Sequence, residues 1–224
     1  MKKLLILLLL VFVACEIEYD GETKLIVKGV ILDENNNPIS NQNIKLFVSR
    51  ESASIPFVFY LPSENNFIGK TKTNLSGEFI MAIPKPTNNY SEILLVINED
   101  QNQYNRKQLR NIQIDDFENS ELNIGIRKIY NTSNLVNLEV TINQTNFNKE
   151  LIKIEYLGEI ANEIEYLNPL EGSNLYYELN KKVSKNQSLT IRYTLKNYST
   201  NENEIVEDTI LIDSSPVINY TLNF

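Results

Sequence analysis

Beyond residue 24 the apolar residues of this chain recur at every second position. Ile44, Leu46 and Val48 do so, as do Phe79, Met81 and Ile83; Val136, Leu138, Val140 and Ile142; Leu189, Ile191, Tyr193 and Leu195; and Ile218, Tyr220, Leu222 and Phe224. A period of two lines one face of an extended strand, whereas on a helix it would scatter these side chains around the axis. Short runs of this kind, separated by Asn-, Gly- and Pro-rich turns, predict an all-β chain built as two tandem antiparallel β-sandwiches. With 224 residues, 42% of them hydrophobic, there is material to fill both cores.

The composition excludes several kinds of chemistry. There is no His, which removes the commonest general base and metal ligand, and one Cys, which forbids an intramolecular disulfide or a thiolate metal cage. A formal net charge of -8 repels phosphate backbones, so nucleic acid is not an expected partner. The 7 Gly form no GxGxxG or GxxxxGK run to wrap a nucleotide. No cofactor and no metal ion is expected.

The first fifteen residues, MKKLLILLLLVFVAC, place two lysines before an apolar run from Leu4 to Ala14 and end on the lone cysteine. Eleven apolar residues make roughly 17 Å of helix, about half of a ~30 Å hydrocarbon core, so residues 1–14 read as a cleaved targeting segment. Phe12-Val13-Ala14-Cys15 resembles the lipobox of bacterial lipoproteins. The resemblance implies that Cys15 is the lipid attachment site and that the mature chain is held to the bacterial outer membrane. Loss of Lys2 and Lys3 with the leader takes the net charge from -8 to -10. Glu16, Glu18, Asp20 and Glu22 follow the cysteine, and residues 15–23 are expected to be an acidic tether. An acidic cluster at this place is similar to the surface-export signal of Bacteroidota lipoproteins.

Residues 24–130 read as the first sandwich. Strands are expected at Lys24–Leu32, Asn43–Ser49, a run opened by Gly77 and closed by Pro84, Glu92–Asn98, Gln108–Ile114 and Leu122–Ile129. Val27-Lys-Gly29-Val-Ile31-Leu-Asp33, followed by Asn37-Pro38-Ile39 and Asn43-Ile44-Lys-Leu46, resembles the opening of carboxypeptidase-regulatory-like domains, which are prealbumin-type β-sandwiches. Thr73-Asn74-Leu-Ser-Gly77-Glu-Phe79 resembles their second signature. Asn37 stands for the usual turn glycine and Asn74 for the usual aspartate. The family implies a non-catalytic module attached to other functions.

Between the two signatures, Glu51–Phe67 is longer than a hairpin requires and carries Ile55-Pro56-Phe57-Val58-Phe59-Tyr60-Leu61-Pro62. Phe57, Phe59 and Tyr60 are candidate partner contacts; the alternative is an extra edge strand whose aromatics pack inward. Residues 131–224 read as a second sandwich, immunoglobulin-like by analogy only, after a polar break at Asn131-Thr-Ser-Asn134. Ile152, Ile154 and Tyr156 are expected on one face of a strand, Leu175, Tyr177 and Leu179 on another, and the last strand is expected to tie the C-terminus into a sheet. The tyrosines of this half are assigned to packing.

Catalysis would have to come from carboxylate pairs, a Ser–Lys dyad or a bound cation. The acidic doublets Glu99-Asp100, Asp115-Asp116 and Glu207-Asp208 show no spacing that joins two of them, and neighbouring acids on a strand point to opposite faces. The expectation is a lipid-anchored envelope module that binds or scaffolds, with an envelope protein or glycan as partner and no catalytic residues. The alternative is an enzyme or enzyme accessory acting on peptides or glycans at the cell surface.

Overall fold

The computed structural model describes residues 17–50, 53–55, 59–61, 64–88, 90–101, 103–168 and 179–224, with the backbone alone at 53–55 and 59–61. It is all-β, with two separate hydrophobic cores.

The first core lies between two sheets. Strand β1 (Glu18–Leu32) runs through the centre of one sheet, and β2 (Asn43–Arg50) through the other. A small hairpin, β3 (Ala53–Ile55) and β4 (Phe59–Leu61), leaves the end of β2 before β5 (Glu64–Lys72) returns alongside it. Then come β6 (Glu78–Asn88), β7 (Glu92–Ile97), β8 (Lys107–Ile112) and β9 (Glu121–Lys128). The sheets have the orders β6-β1-β9 and β8-β7-β2-β5, the second extended at its β8 edge by a fifth strand from further along the chain. Ile44, Leu46 and Val48 of β2, Phe79, Met81 and Ile83 of β6, and Leu25, Val27 and Ile31 of β1 all point into the core. Strand β7, buried at every position, is the central slat. Gly77, at φ +73°, makes the turn into β6. A Cβ there would lie 2.5 Å from the Ile31 carbonyl oxygen, so only glycine fits.

Two expectations about this half are corrected. Pro84 does not close its strand: β6 continues through Pro84 and Pro86, which face Lys24 and Tyr19 across a shifted register. Strand β6 hydrogen-bonds to β1 on one side only, so a residue without an N–H costs it no ladder bond. The tether is also shorter than the acidic run suggests. Strand β1 begins at Glu18, whose carboxylate accepts from Asn88 Nδ2 at 2.7 Å, and Ile17 is already part of the core.

The second core is built from β10 (Leu135–Asn143), β11 (Lys149–Leu157), β13 (Lys181–Ser184), β14 (Gln187–Asn197), β15 (Glu202–Ile212) and β16 (Val217–Asn223), with β12 (Ile164–Tyr166) lying outside it. Its sheets are β13-β10-β16 and β11-β14-β15. Leu138, Val183, Leu189, Ile191, Ile212 and Leu222 are its fully buried centre. Ile152 does not share a face with Ile154 and Tyr156. The register of β11 slips between Leu151 and Lys153, which leaves Ile152 39% exposed and turns Leu151 inward in its place. Leu175 and Tyr177 lie outside the described residues.

The sandwiches are not purely antiparallel. In each half the first strand pairs with the last in parallel, β1 with β9 and β10 with β16. The C-terminus is tied in as expected: the Phe224 carbonyl oxygen accepts from Asn146 N and from Thr145 Oγ1, both at 3.0 Å.

Candidate functional site at the junction of the two sandwiches

Four ion pairs between the two halves gather where the two cores meet. Between β11 and β13 the chain leaves its own core and lies along the first sandwich. There β12 pairs in parallel with β8, Ile164 facing Gln108 and Tyr166 facing Arg110. Gln108 N donates to the Glu163 carbonyl at 2.6 Å and Leu167 N to the Arg110 carbonyl at 2.9 Å, so the ladder extends on both sides of the three-residue strand.

The side chains of β12 are turned the opposite way from a hydrophobic strand. Ile164 and Tyr166 are exposed, while Glu165 points inward. It pairs with Lys107 of β8, whose side chain is only 3% exposed, and lies 3.5 Å from Arg127 of β9. Strands β8 and β9 belong to opposite sheets, so one carboxylate closes the open side of the first sandwich. A buried ammonium is tolerable only with such a partner. Arg106 and Glu163 (3.5 Å) and Lys128 and Glu159 (3.5 Å) flank this pair.

Tyr130 completes the junction. Its hydroxyl donates to Glu159 Oε2 at 2.8 Å. Burial, reinforced by that carboxylate, pushes the phenol well above its ordinary pKa. Glu159 is in turn held by the second sandwich, its N donating to Gln187 Oε1 at 2.8 Å. The break at Asn131–Asn134, polar as expected, is a 3-10 turn pinned from both sides. Glu34 accepts from Asn131 N (3.2 Å) and Asn134 Nδ2 (2.8 Å), and the Asn134 carbonyl accepts from Lys185 N (2.9 Å).

Sequence reasoning did not find this site. Its signal is present only as two basic doublets, Arg106-Lys107 and Arg127-Lys128, and three spaced acids, Glu159, Glu163 and Glu165, which periodicity assigns to solvated faces. The expected sites fall elsewhere. Cys15 and Phe57 lie outside the described residues. Phe59 and Tyr60 are on β4, opposite Ile55 and Ser54 of β3. The acidic doublets do not meet. Glu99 pairs with Lys45, Asp116 accepts from Gln113 N at 2.7 Å, Glu207 pairs with Arg192, and Asp208 accepts from Tyr220. Among the described residues no three acids or thiols group to hold a metal ion. Clefts open to solvent include one of about 490 Å³ beside Thr132, Lys182 and Lys185, one of about 420 Å³ beside Lys28, Lys72 and Ile80, and one of about 350 Å³ beside Asn162, Ile164 and Lys181. No described helix is long and apolar enough to cross a membrane.

No protein-family model matches the sequence, and no curated protein matches it. Among solved structures, 3-chlorocatechol 1,2-dioxygenase from Rhodococcus opacus 1CP overlaps with 53% of this chain and 63% of its own, at 12% identity and a TM-score of 0.33. The Bacillus anthracis TIE protein overlaps with 90% of this chain and 34% of its own (14% identity, TM-score 0.34), and the shaft pilin SpaA of Lactobacillus rhamnosus GG with 90% and 98% (9%, 0.31). The chain thus spans less than two thirds of the length of the first two. Values this low leave its function to its own residues.

Proposed function

We propose that the mature chain is a lipid-anchored, non-catalytic scaffold of the bacterial outer membrane, held by acyl chains on Cys15 and presenting a rigid pair of β-sandwiches to an envelope protein or glycan. The first sandwich is read as a carboxypeptidase-regulatory-like module on the strength of its two turn signatures. The observation that carries the scaffold reading is the pinned junction. The acids and bases that an enzyme would converge on a pocket are engaged here, one by one, in joining two bodies and closing a sheet edge. Strand β1, 15 residues and roughly 45 Å long, separates the chain start from that junction. A scaffold of this form holds its second sandwich away from the membrane at fixed reach. Three acyl chains at about 0.8 kcal/mol per buried methylene are ample to retain it.

Incorporation of radiolabelled palmitate into the wild type and into Cys15→Ala tests the anchor. Label is expected in the first and not in the second, and equal label in both sinks the lipoprotein reading. Covalent cross-linking on intact cells tests the scaffold: a partner captured by the wild type should be lost when the junction is opened by Glu159→Ala with Glu165→Ala. Retention of the partner by that variant would count against a role for fixed geometry.

A further inference from the structure

The cleft of about 490 Å³ beside the junction has three walls. One is the 3-10 turn at 132–134, one is β13 with the turn that follows it, and one is the link from β15 to β16. Together they bring Thr132, Ser133, Asn137, Lys182, Lys185 and Ser214 to one opening. Its volume falls within the range of ordinary small-ligand sites, about 300–1,000 Å³.

The chain carries 29 acids against 21 bases, yet among the described residues this lining holds two lysines and no acid. Asp213, next to Ser214 in sequence, is turned onto Ser215 N, which donates to it at 2.8 Å. Glu139, two residues beyond Asn137 on β10, lies outside the lining. Both ammonium groups stand on fixed backbone. Lys182 faces Asn137 across the β10–β13 ladder, and its carbonyl accepts from Ala161 N at 2.8 Å. Among the described residues its side chain has no acidic partner. Lys185, held through its N to the Asn134 carbonyl, donates from Nζ to the Ser133 carbonyl at 2.6 Å. That bond engages one of its ammonium protons and leaves the charge uncancelled.

The hydroxyl protons around these cations are already engaged. Thr132 Oγ1 donates to the Gln103 carbonyl at 3.1 Å, and Ser133 Oγ to Asn131 Oδ1 at 2.8 Å. What each oxygen still offers is lone pairs. A bare anion, itself all acceptor, would satisfy the lysines and leave those lone pairs unmet. A sugar acid meets both demands, with its anionic group on the ammonium ions and its hydroxyls donating to Thr132 and Ser133. The Asn137 amide can serve a hydroxyl in either role.

We infer that this cleft binds an acidic glycan, with Lys182 and Lys185 on its carboxylate or sulfate and Thr132, Ser133 and Asn137 on its hydroxyls. The inference deepens the proposed function by choosing the glycan as partner, and it rests on that reading for the envelope setting in which such a glycan is met.

Full-length protein in non-ionic detergent is passed over surfaces bearing polygalacturonate, dextran sulfate, neutral dextran or poly-glutamate, and bound mass is read by interferometry. Binding is expected to polygalacturonate or to dextran sulfate, which separate carboxylate from sulfate as the recognised group, and not to dextran or poly-glutamate. Lys182→Glu should weaken it by about tenfold or more, and Lys182→Gln by about threefold. Lys70→Glu makes the same charge change at an exposed position of β5 and should leave affinity within about twofold. Circular dichroism checks that each variant is folded. Absence of binding to both acidic polysaccharides, equal binding to poly-glutamate, unchanged affinity in Lys182→Glu, or an equal loss in Lys70→Glu overturns the site. Palmitate labelling reads the anchor separately. Labelled protein that binds neither polysaccharide loses the site and keeps the anchor, and unlabelled protein that binds keeps the site and loses the anchor.

Discussion

The Tyr130 hydroxyl donates to Glu159 Oε2 across 2.8 Å, and through this bond the residue next to Ile129, the last of the first core, is fastened to a carboxylate positioned by the second half. Tyr130 is 5% exposed, so its hydroxyl has little water to fall back on. Tyr130→Phe should lower the unfolding free energy by about 1.5–3 kcal/mol, the range for a hydrogen bond to a charged acceptor. Urea denaturation measures it. An unchanged midpoint would mean that the bond does not couple the halves.

The Lys107–Glu165 pair should respond asymmetrically. Glu165→Leu strips a carboxylate from an ammonium with 3% exposure and should cost about 3 kcal/mol, whereas Lys107→Met leaves a carboxylate that water still reaches and should cost about 1 kcal/mol. The double variant should cost less than the sum of the two. Equal single losses in a double-mutant cycle would argue that Lys107 reaches solvent.

Rigidity is a separate readout from stability. Removing Glu159, Glu163 and Glu165 together, each as Ala, deletes every acidic partner of Arg106, Lys107, Arg127 and Lys128 named at the junction. Small-angle scattering should then show a larger radius of gyration and a broader distance distribution, while both cores keep their circular dichroism. An unaltered scattering profile would assign the fixed geometry to the β8–β12 ladder alone.

Two glycines with positive φ make a matched test of strain. Gly21, at φ +74°, has no atom within 4 Å of the place a Cβ would take, whereas Gly77, at φ +73°, has the Ile31 carbonyl oxygen 2.5 Å away. Gly21→Ala should cost about 1 kcal/mol, the left-handed penalty alone. Gly77→Ala must also move backbone and should cost at least about 3 kcal/mol in thermal or urea unfolding.

Alkaline pH should unfold the protein through its phenols. Tyr130 and Tyr220 both have raised pKa values in the folded state, through burial first and then through Glu159 and Asp208 respectively. The folded state holds protons that the unfolded chain releases above a phenol's ordinary pKa of about 10. Their stabilising contribution is therefore complete below that pH and is lost as pH rises through the folded values. Stability measured from pH 8 to 11.5 should fall at the upper end, and the fall should be shallower in Tyr130→Phe with Tyr220→Phe.

Much of the fold was legible in the sequence, because a half-buried strand writes its own pattern. Ile44, Leu46 and Val48 announced β2, and Leu189, Ile191, Tyr193 and Leu195 announced β14, each by alternation that burial then matched. The misreadings have local physical causes. Pro84 reads as a stop until β6 is known to be an edge strand, and Ile152 reads as core until the slipped register turns it outward. The junction was not legible. Glu165 is the inward residue of a strand whose apolar residues face water, the reverse of the rule by which strands are found.

The chain's own order of residues determined that it is all-β, where most strands run, which turns need Gly77, and that its only cysteine follows an apolar run. Those features are local, set by side-chain period, backbone conformation and the length of a hydrophobic run. Tertiary structure alone decided that β1 lies parallel to β9, that β12 crosses to close the first sandwich, and that Lys107 meets Glu165 from 58 residues away. Such pairings depend on which distant groups can satisfy one another once water is excluded, and no stretch of sequence contains both members of that balance.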